Sequence, residues 1–375
     1  MVRRYLQEKI TASFSRGKAI VLMGARQVGK TTLAKTISTQ VGLKTLWLNG
    51  DEPDVRKLLT NTTSTQLKSL IGSHELLVID EAQRITNIGL TLKLIVDEIP
   101  SVQVVATGSS SFELADRISE PLTGRKDVFY LFPLSYQELC GHTNVLDESR
   151  NLEHRMIFGS YPDVINNPGE EINILSQLSD SYLYKDLFAY DKLKKPEILE
   201  KLLQALALQL GQQVSYNELG QVIGADNQTV ERYIYLLEKS YVIFRLGSFS
   251  RNLRNELKRS RKIYFLDNGI RNAVIKNYAP LALRSDTGAL WENYLLSERL
   301  KANQYSRRWV NSYFWRTRSQ QEIDYLEERD GQLAAYEFKW NPKKKAQIPP
   351  MFSKAYPQAA FQVITRDNYT EFIQT

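Results

Sequence analysis

The sequence predicts an α/β protein whose N-terminal part is a parallel sheet wrapped by crossover helices. Three observations predict it. Short apolar runs recur at Ala19-Ile20-Val21-Leu22-Met23, Leu46-Trp47-Leu48, Leu76-Leu77-Val78-Ile79 and Val102-Gln103-Val104-Val105-Ala106. Amphipathic stretches separate them, and runs that are apolar on both faces fit strands covered on both sides by helices. A glycine-rich turn, Gly24 to Gly29, follows the first run and opens a helical pattern, Thr31-Thr32-Leu33-Ala34-Lys35.

Beyond this part the periodicity changes. From Ser135 to Lys194 it is mostly helical, broken at Gly159-Ser160-Tyr161-Pro162 and at Asn166-Asn167-Pro168-Gly169. Residues 196–266 hold three helical patterns followed by β-rich sequence. The last hundred residues return to mixed α/β, with Ser312-Tyr313-Phe314-Trp315 and Ala334-Ala335-Tyr336-Glu337-Phe338 as aromatic-rich strands. A chain of 375 residues exceeds one comfortable core. The expected domains are a nucleotide-binding core at 1–135, a helical lid or linker at 136–195, a third region at 196–266 and a fourth at 267–375.

Composition narrows the function. No run of eighteen apolar residues occurs and the first residues lack a signal-peptide core, so a soluble cytoplasmic protein with no membrane partner is expected. A single cysteine, Cys140, excludes an internal disulfide and any multi-cysteine zinc site. The net charge of +7 suits a polyanionic partner.

Gly24-Ala25-Arg26-Gln27-Val28-Gly29-Lys30-Thr31 matches the phosphate-binding loop and sits between a strand and a helix, as its chemistry requires. Gly24 and Gly29 let backbone N–H groups wrap the phosphates of ATP at a helix N-terminus. Lys30 is expected to reach the β- and γ-phosphates, Thr31 to bind Mg2+, and Thr32 to join the nucleotide-binding residues. Leu76 to Ile79 delivers Asp80 and Glu81 at a strand end, Asp80 for magnesium and Glu81 to orient or deprotonate the attacking water. After the strand ending Ala106-Thr107-Gly108, Ser109 is the candidate sensor of the γ-phosphate, unless these serines only cap a helix. Arg117 and Arg125 are candidates for the cation that neutralises charge in phosphoryl transfer.

The ordered series Gly-Ala-Arg-Gln-Val-Gly-Lys-Thr-Thr, Ile-Asp-Glu-Ala-Gln, Thr-Gly-Ser-Ser and Leu-Thr-Gly-Arg resembles the bacterial and archaeal AAA+-type P-loop ATPases that carry a C-terminal restriction-endonuclease-like domain of the PD-(D/E)xK type. Phe158-Gly159-Ser160-Tyr161-Pro162 and Tyr182-Leu183-Tyr184-Lys185-Asp186 are similar to that family's linker. Ala25 stands where many members have proline. The resemblance implies an ATPase working as a homo-oligomer, with Arg125 reaching a neighbouring subunit's nucleotide. It does not supply a cellular task.

In the third region, Val214 to Gly224 and Asn227 to Lys239 form a helix-turn-helix pattern, with Val230, Tyr233, Ile234 and Leu237 on the apolar face. Leu246 to Leu266 is the expected β-wing of a winged helix. Its Arg245, Arg251, Arg254, Lys258, Arg259, Arg261 and Lys262 suit a phosphate clamp, or the module docks protein.

In the fourth region, Trp291 to Leu300 is expected as an amphipathic helix. Asp324 and the pair Glu337 and Lys339, which strand alternation puts on one side, are joined by Glu292 from the helix. This set is similar to the metal-binding core of restriction-endonuclease-like nucleases, with Ile323 in place of the usual proline. Arg299, Lys301, Arg307, Arg308, Arg316 and Arg318 interleave with Tyr305, Trp309, Tyr313, Phe314 and Trp315, ahead of Lys343-Lys344-Lys345. Cations with stacking aromatics suit single-stranded or branched DNA. The expected function is an ATPase that binds and remodels DNA, with a four-way (Holliday) junction the first substrate to test by analogy to junction-resolving enzymes. The alternatives are an ATP-dependent nuclease and a nucleotide switch that docks protein partners.

Overall fold

The computed structural model describes residues 1–14, 16–108, 121–180, 196–250 and 261–374. The chain divides into two compact units, residues 1–134 with 239–241, and residues 135–238 with 242–375.

In the first unit, helix α1 (Leu6–Thr11) precedes strands β1 (Ala19–Gly24), β2 (Thr45–Asn49), β3 (Leu76–Asp80), β4 (Gln103–Gly108) and β5 (Lys126–Leu131). They form one sheet in the order β2-β3-β4-β1-β5, parallel at every pairing. Every residue of β1 and β3 is buried, which is why these runs lack polar alternation. The crossovers include α2 (Lys30–Val41), α3 (Pro53–Leu59), α4 (Ser64–Ile71) and α5 (Ile88–Glu98). Local chemistry starts and stops them. Thr63 and Gln66 form a reciprocal capping box at α4, and left-handed Gly42 ends α2. Because β1 is inserted between β4 and β5, the strand order reverses beside it, and the C-terminal ends of β1, β3 and β4 open on the crevice where such sheets bind ligands. Edge strand β5 escapes the apolar-run criterion because it opens on Lys126 and Asp127 and is only half-buried.

The second unit opens with α6 (Tyr136–His142), α7 (Val145–Arg150), α8 (Leu152–Phe158), α9 (Pro162–Asn166), α10 (Glu171–Leu178) and α11 (Pro196–Leu208). Short β6 (Gln213–Val214), α12 (Tyr216–Ile223), α13 (Asn227–Lys239), β7 (Ile243–Ser248) and β8 (Arg261–Phe265) follow, then α14 (Asn268–Val274) and the long α15 (Thr287–Tyr305). The chain finishes with β9 (Asn311–Arg316), β10 (Glu322–Arg329), β11 (Gln332–Phe338), α16 (Pro350–Ala355), β12 (Ala360–Ile364) and α17 (Tyr369–Gln374).

A seven-stranded sheet in the order β12-β11-β10-β9-β7-β8-β6 runs through this unit. The hairpin β7–β8, expected as a separate wing, joins it because Gly247 and Ser248 pair in parallel with Tyr313 and Phe314. The boundary expected after residue 266 therefore falls inside a continuous sheet. The described part of the segment expected as a lid, 136–180, shares the same compact unit. Such long-range pairing leaves no mark on local periodicity.

Helix α15 also departs from expectation, being buried around most of its circumference instead of amphipathic. Its polar groups are enclosed in pairs. Arg299 forks onto Glu327 at 2.7 and 2.6 Å, Lys301 meets Glu298 at 2.6 Å, and Asn293 holds both backbone groups of Phe265. Such burial is tolerated when each charge has its partner.

Candidate nucleotide site and the C-terminal carboxylate cluster

The loop from Gly24 to Lys30 is built from conformations that few residues adopt. Gly24 has φ +156°, and a Cβ there would stand 2.0 Å from the Leu131 carbonyl oxygen, so only glycine lets the loop pass β5. Gly29, at φ +93°, turns the chain into α2. Lys30 is buried and its Nζ donates to the carbonyls of Gly24, at 3.0 Å, and Ala25, at 2.7 Å, spanning the loop.

Asp80 meets this loop from the end of β3. Thr31 Oγ1 donates to its carboxylate at 2.9 and 3.1 Å, placing the two expected magnesium ligands side by side. A hydroxyl and a carboxylate fit Mg2+, which takes few protein oxygens and completes its shell with phosphate oxygens and water. Glu81 follows in a left-handed conformation, φ +49°, and accepts from Gln83 Nε2 at 2.5 Å. Gly50 allows the turn to pack, since a Cβ there would lie 2.4 Å from the Glu81 carbonyl oxygen.

Two residues that motif reading did not select belong to this site. Thr107, fully buried at the end of β4, donates to Asp80 Oδ1 at 2.5 Å and accepts from the Glu81 backbone N–H at 3.2 Å. It is the first hydroxyl of the run that continues to Ser109; Ser109 and Arg117 lie outside the described residues. Arg4 is the second. Its guanidinium donates to the carbonyls of Val28, at 2.7 Å, and Phe132, at 2.6 Å, tying the phosphate loop to the chain just beyond β5. No motif would flag it, because its partners lie 24 and 128 residues away.

Arg125 is not brought to this nucleotide site. Its carbonyl accepts from Ala19 N at 2.9 Å, at the start of β1, whereas the phosphate loop leaves the other end of that strand. The length of β1 separates them by about 17 Å. Its guanidinium pairs with Asp97 at 2.6 Å on the surface, away from this chain's own phosphate loop.

In the second unit, Glu292, Asp324, Glu337 and Lys339 converge, but together with Lys262, Tyr264 and Glu322. Lys262, on β8, lies 3.2 Å from Glu292 and 2.7 Å from Glu322, and Tyr264 donates its hydroxyl to Glu292. Lys339 lies 2.6 Å from Glu337, which confirms that the two share a face. Asp324 accepts from the Phe338 N–H at 2.8 Å. Burial, followed by the neighbouring Asp324, pushes the Glu292 carboxyl up to about 7 although Lys262 pulls against it. Burial likewise raises Asp324 and Glu337. Among the described residues no group of three or more His, Cys, Asp or Glu side chains is arranged to hold a metal ion. Lysine ammonium groups thus contact two carboxylates of the expected metal set, Lys262 on Glu292 and Lys339 on Glu337.

The expected cationic surfaces shrink in the same way. In the wing, Lys262 is buried, Arg245 pairs with Glu238, and Arg261 faces Glu231 at 3.9 Å and the Tyr216 hydroxyl at 3.0 Å. Arg251, Arg254, Lys258 and Arg259 lie outside the described residues. Arg299 and Lys301 are buried in ion pairs, and Tyr305, Phe314 and Trp315 are core residues. Arg307, Trp309, Arg318 and Lys343 to Lys345 are exposed. Strands β9 and β11 both run antiparallel to β10, so Arg318 and the three lysines emerge at one end of the sheet.

Residues 16–140 match the family model described as an AAA domain, residues 149–281 a domain of unknown function (DUF8612), and residues 287–374 another (DUF4143). An uncharacterized protein of Mycobacterium tuberculosis is 27% identical over 344 residues, covering 90% of this chain and 74% of its own. One from Haemophilus influenzae is 27% identical over 194 residues, covering 48% of each chain. Among solved structures, the Holliday junction branch migration motor RuvB of Thermotoga maritima aligns with 68% of this chain and 95% of its own, at 16% identity and a TM-score of 0.34. The AAA match and the parallel sheet together support a P-loop ATPase family for the first unit. No described helix is long and apolar enough to cross a membrane.

Proposed function

We propose that the chain hydrolyses ATP and couples hydrolysis to binding and remodelling DNA. The observation that carries the first half is the hydrogen bond from Thr31 to Asp80, which joins a phosphate loop to an acidic strand end. In this reading Gly24, Gly29 and the N-terminus of α2 take the triphosphate, and Lys30 turns from its loop carbonyls to the β- and γ-phosphates. Thr32 extends the helix start beside them. Thr31 and Asp80 hold Mg2+, which supplies neutralisation of phosphate charge. Glu81, released from Gln83, orients the water and takes its proton. Arg125, exposed on the surface beside Asp97, serves a neighbouring subunit's nucleotide in a homo-oligomer.

The second half rests on charge. The exposed end of the sheet carrying Arg318 and Lys343 to Lys345, on a chain of net charge +7, suits a phosphate backbone, and exposed Trp309 suits an unstacked base. Helices α12 and α13 with hairpin β7–β8 are consistent with a winged-helix module, and the β9–β12 sheet with a restriction-endonuclease-like core. The test is ATP turnover measured with single-stranded DNA, duplex and a four-way junction. Stimulation by DNA, weakening as salt rises and abolished by Lys30→Ala, is expected; the absence of DNA binding at low salt would favour a nucleotide switch.

A further inference from the structure

We propose that Lys262 is the resident cation of the C-terminal carboxylate cluster, making the cluster a metal-independent ionic lock and not a phosphodiester-cleaving centre. Its ammonium group sits between Glu292 of α15 and Glu322 of β10, 3.2 and 2.7 Å away, with its side chain only 3% exposed. An ammonium so placed takes Glu292, one carboxylate of the expected metal set, directly, and its charge also bears on Asp324.

The remaining donors point the same way. Lys339 takes Glu337, the Phe338 N–H takes Asp324, and the Tyr264 hydroxyl takes Glu292, so every carboxylate of the expected metal set already has a donor. Gly211 backs onto the same carboxylate, since a Cβ there would stand 3.3 Å from Glu292 Oε2. A divalent ion entering this network meets a buried like charge within a few ångströms, which at an effective protein dielectric weakens binding on the order of a thousandfold or more. Lys262 lies on β8, three strands from Glu322 in the sheet order, so the ion pair ties the β7–β8 hairpin to β10 and to α15. The lock thereby fixes the geometry of one sheet built from segments distant in sequence, and the second unit acts as a binding platform.

The inference is independent of the ATP site, and the test separates the two. Manganese is titrated against the full chain carrying Lys30→Ala, without nucleotide, and bound Mn2+ is read by electron paramagnetic resonance. We expect Asp324→Asn to leave manganese uptake unchanged, because the cluster takes none. Lys262→Met should gain an equivalent of Mn2+, at least tenfold tighter than any uptake before the substitution, that is lost again when Asp324→Asn is added. Manganese uptake that is present with Lys262 intact and disappears in Asp324→Asn would overturn the proposal, as would a folded Lys262→Met chain that gains none. Should Lys262→Met fail to fold, the Asp324→Asn comparison still decides. Nicking of plasmid DNA with manganese, present in the otherwise native chain and lost in Asp324→Asn, would overturn it by a second route.

Discussion

Thr107 Oγ1 donates to Asp80 Oδ1 at 2.5 Å while accepting from the backbone N–H of Glu81, so one buried hydroxyl fixes both the expected magnesium ligand and the start of the residue that follows it. A group that orients a ligand in this way typically matters about 10–100-fold. Thr107→Val should lower ATP turnover by roughly that factor, and Thr107→Ser should keep most of it. Steady-state phosphate release checks both, and a Thr107→Val chain with unchanged turnover would remove Thr107 from the site.

Arg4 makes two charge-assisted bonds to backbone carbonyls, one of them within the phosphate loop. Arg4→Ala should lower unfolding free energy by about 2–3 kcal/mol and weaken nucleotide binding, because the loop loses the tether that fixes Val28. Arg4→Lys should recover only part, since an ammonium group cannot span both carbonyls as a planar fork does. Urea unfolding and titration with a fluorescent ATP analogue measure the two effects separately.

Asp286 bridges two buried arginines, accepting from Arg271 at 2.6 Å and from Arg284 at 2.8 and 2.9 Å. Burial acts to raise its carboxyl, but the two guanidinium groups outweigh it and hold the group at about 2, below the usual 3.8. A depressed carboxyl contributes stability above its unfolded value and loses it as pH falls through the folded one. The contribution, about 2 kcal/mol, should therefore be complete above about pH 5 and be lost progressively towards pH 1. Asp286→Asn should flatten that part of the stability profile. The same substitution should cost about 3–5 kcal/mol near neutral pH by leaving the guanidinium charges unpaired. Denaturant unfolding across this range tests both.

Arg125, on the surface and remote from the phosphate loop of its own chain, makes a separable prediction. Arg125→Ala should change stability by less than about 1 kcal/mol, as expected for an exposed ion pair. If it serves a neighbour, turnover should fall severalfold or more, and mixing Arg125→Ala with Lys30→Ala chains should restore part of it through mixed interfaces. Equal turnover with and without Arg125 would dismiss that role.

The strands at Ala19, Leu46, Leu76 and Val102 and the phosphate loop were legible in the sequence because each is a local pattern: an apolar run, a glycine spacing, carboxylates at a strand end. The same holds for Val230, Tyr233, Ile234 and Leu237, whose helical spacing put them on the buried face of α13. Strand β5 was missed because an edge strand need not be apolar.

The sequence by itself determined which residue types stand ready for chemistry, since Lys30, Thr31, Asp80 and Glu81 follow from their place at strand and helix ends. Only the tertiary structure decided how their charges and hydroxyls are satisfied. Thr107 and Arg4 enter the nucleotide site, Arg125 is carried to the far end of β1, and Lys262 moves from an expected DNA-facing wing into the carboxylate cluster. The physical reason is that backbone pattern is set by neighbours along the chain, whereas the pairing of a buried charge is set by whichever oppositely charged group the fold brings within a few ångströms.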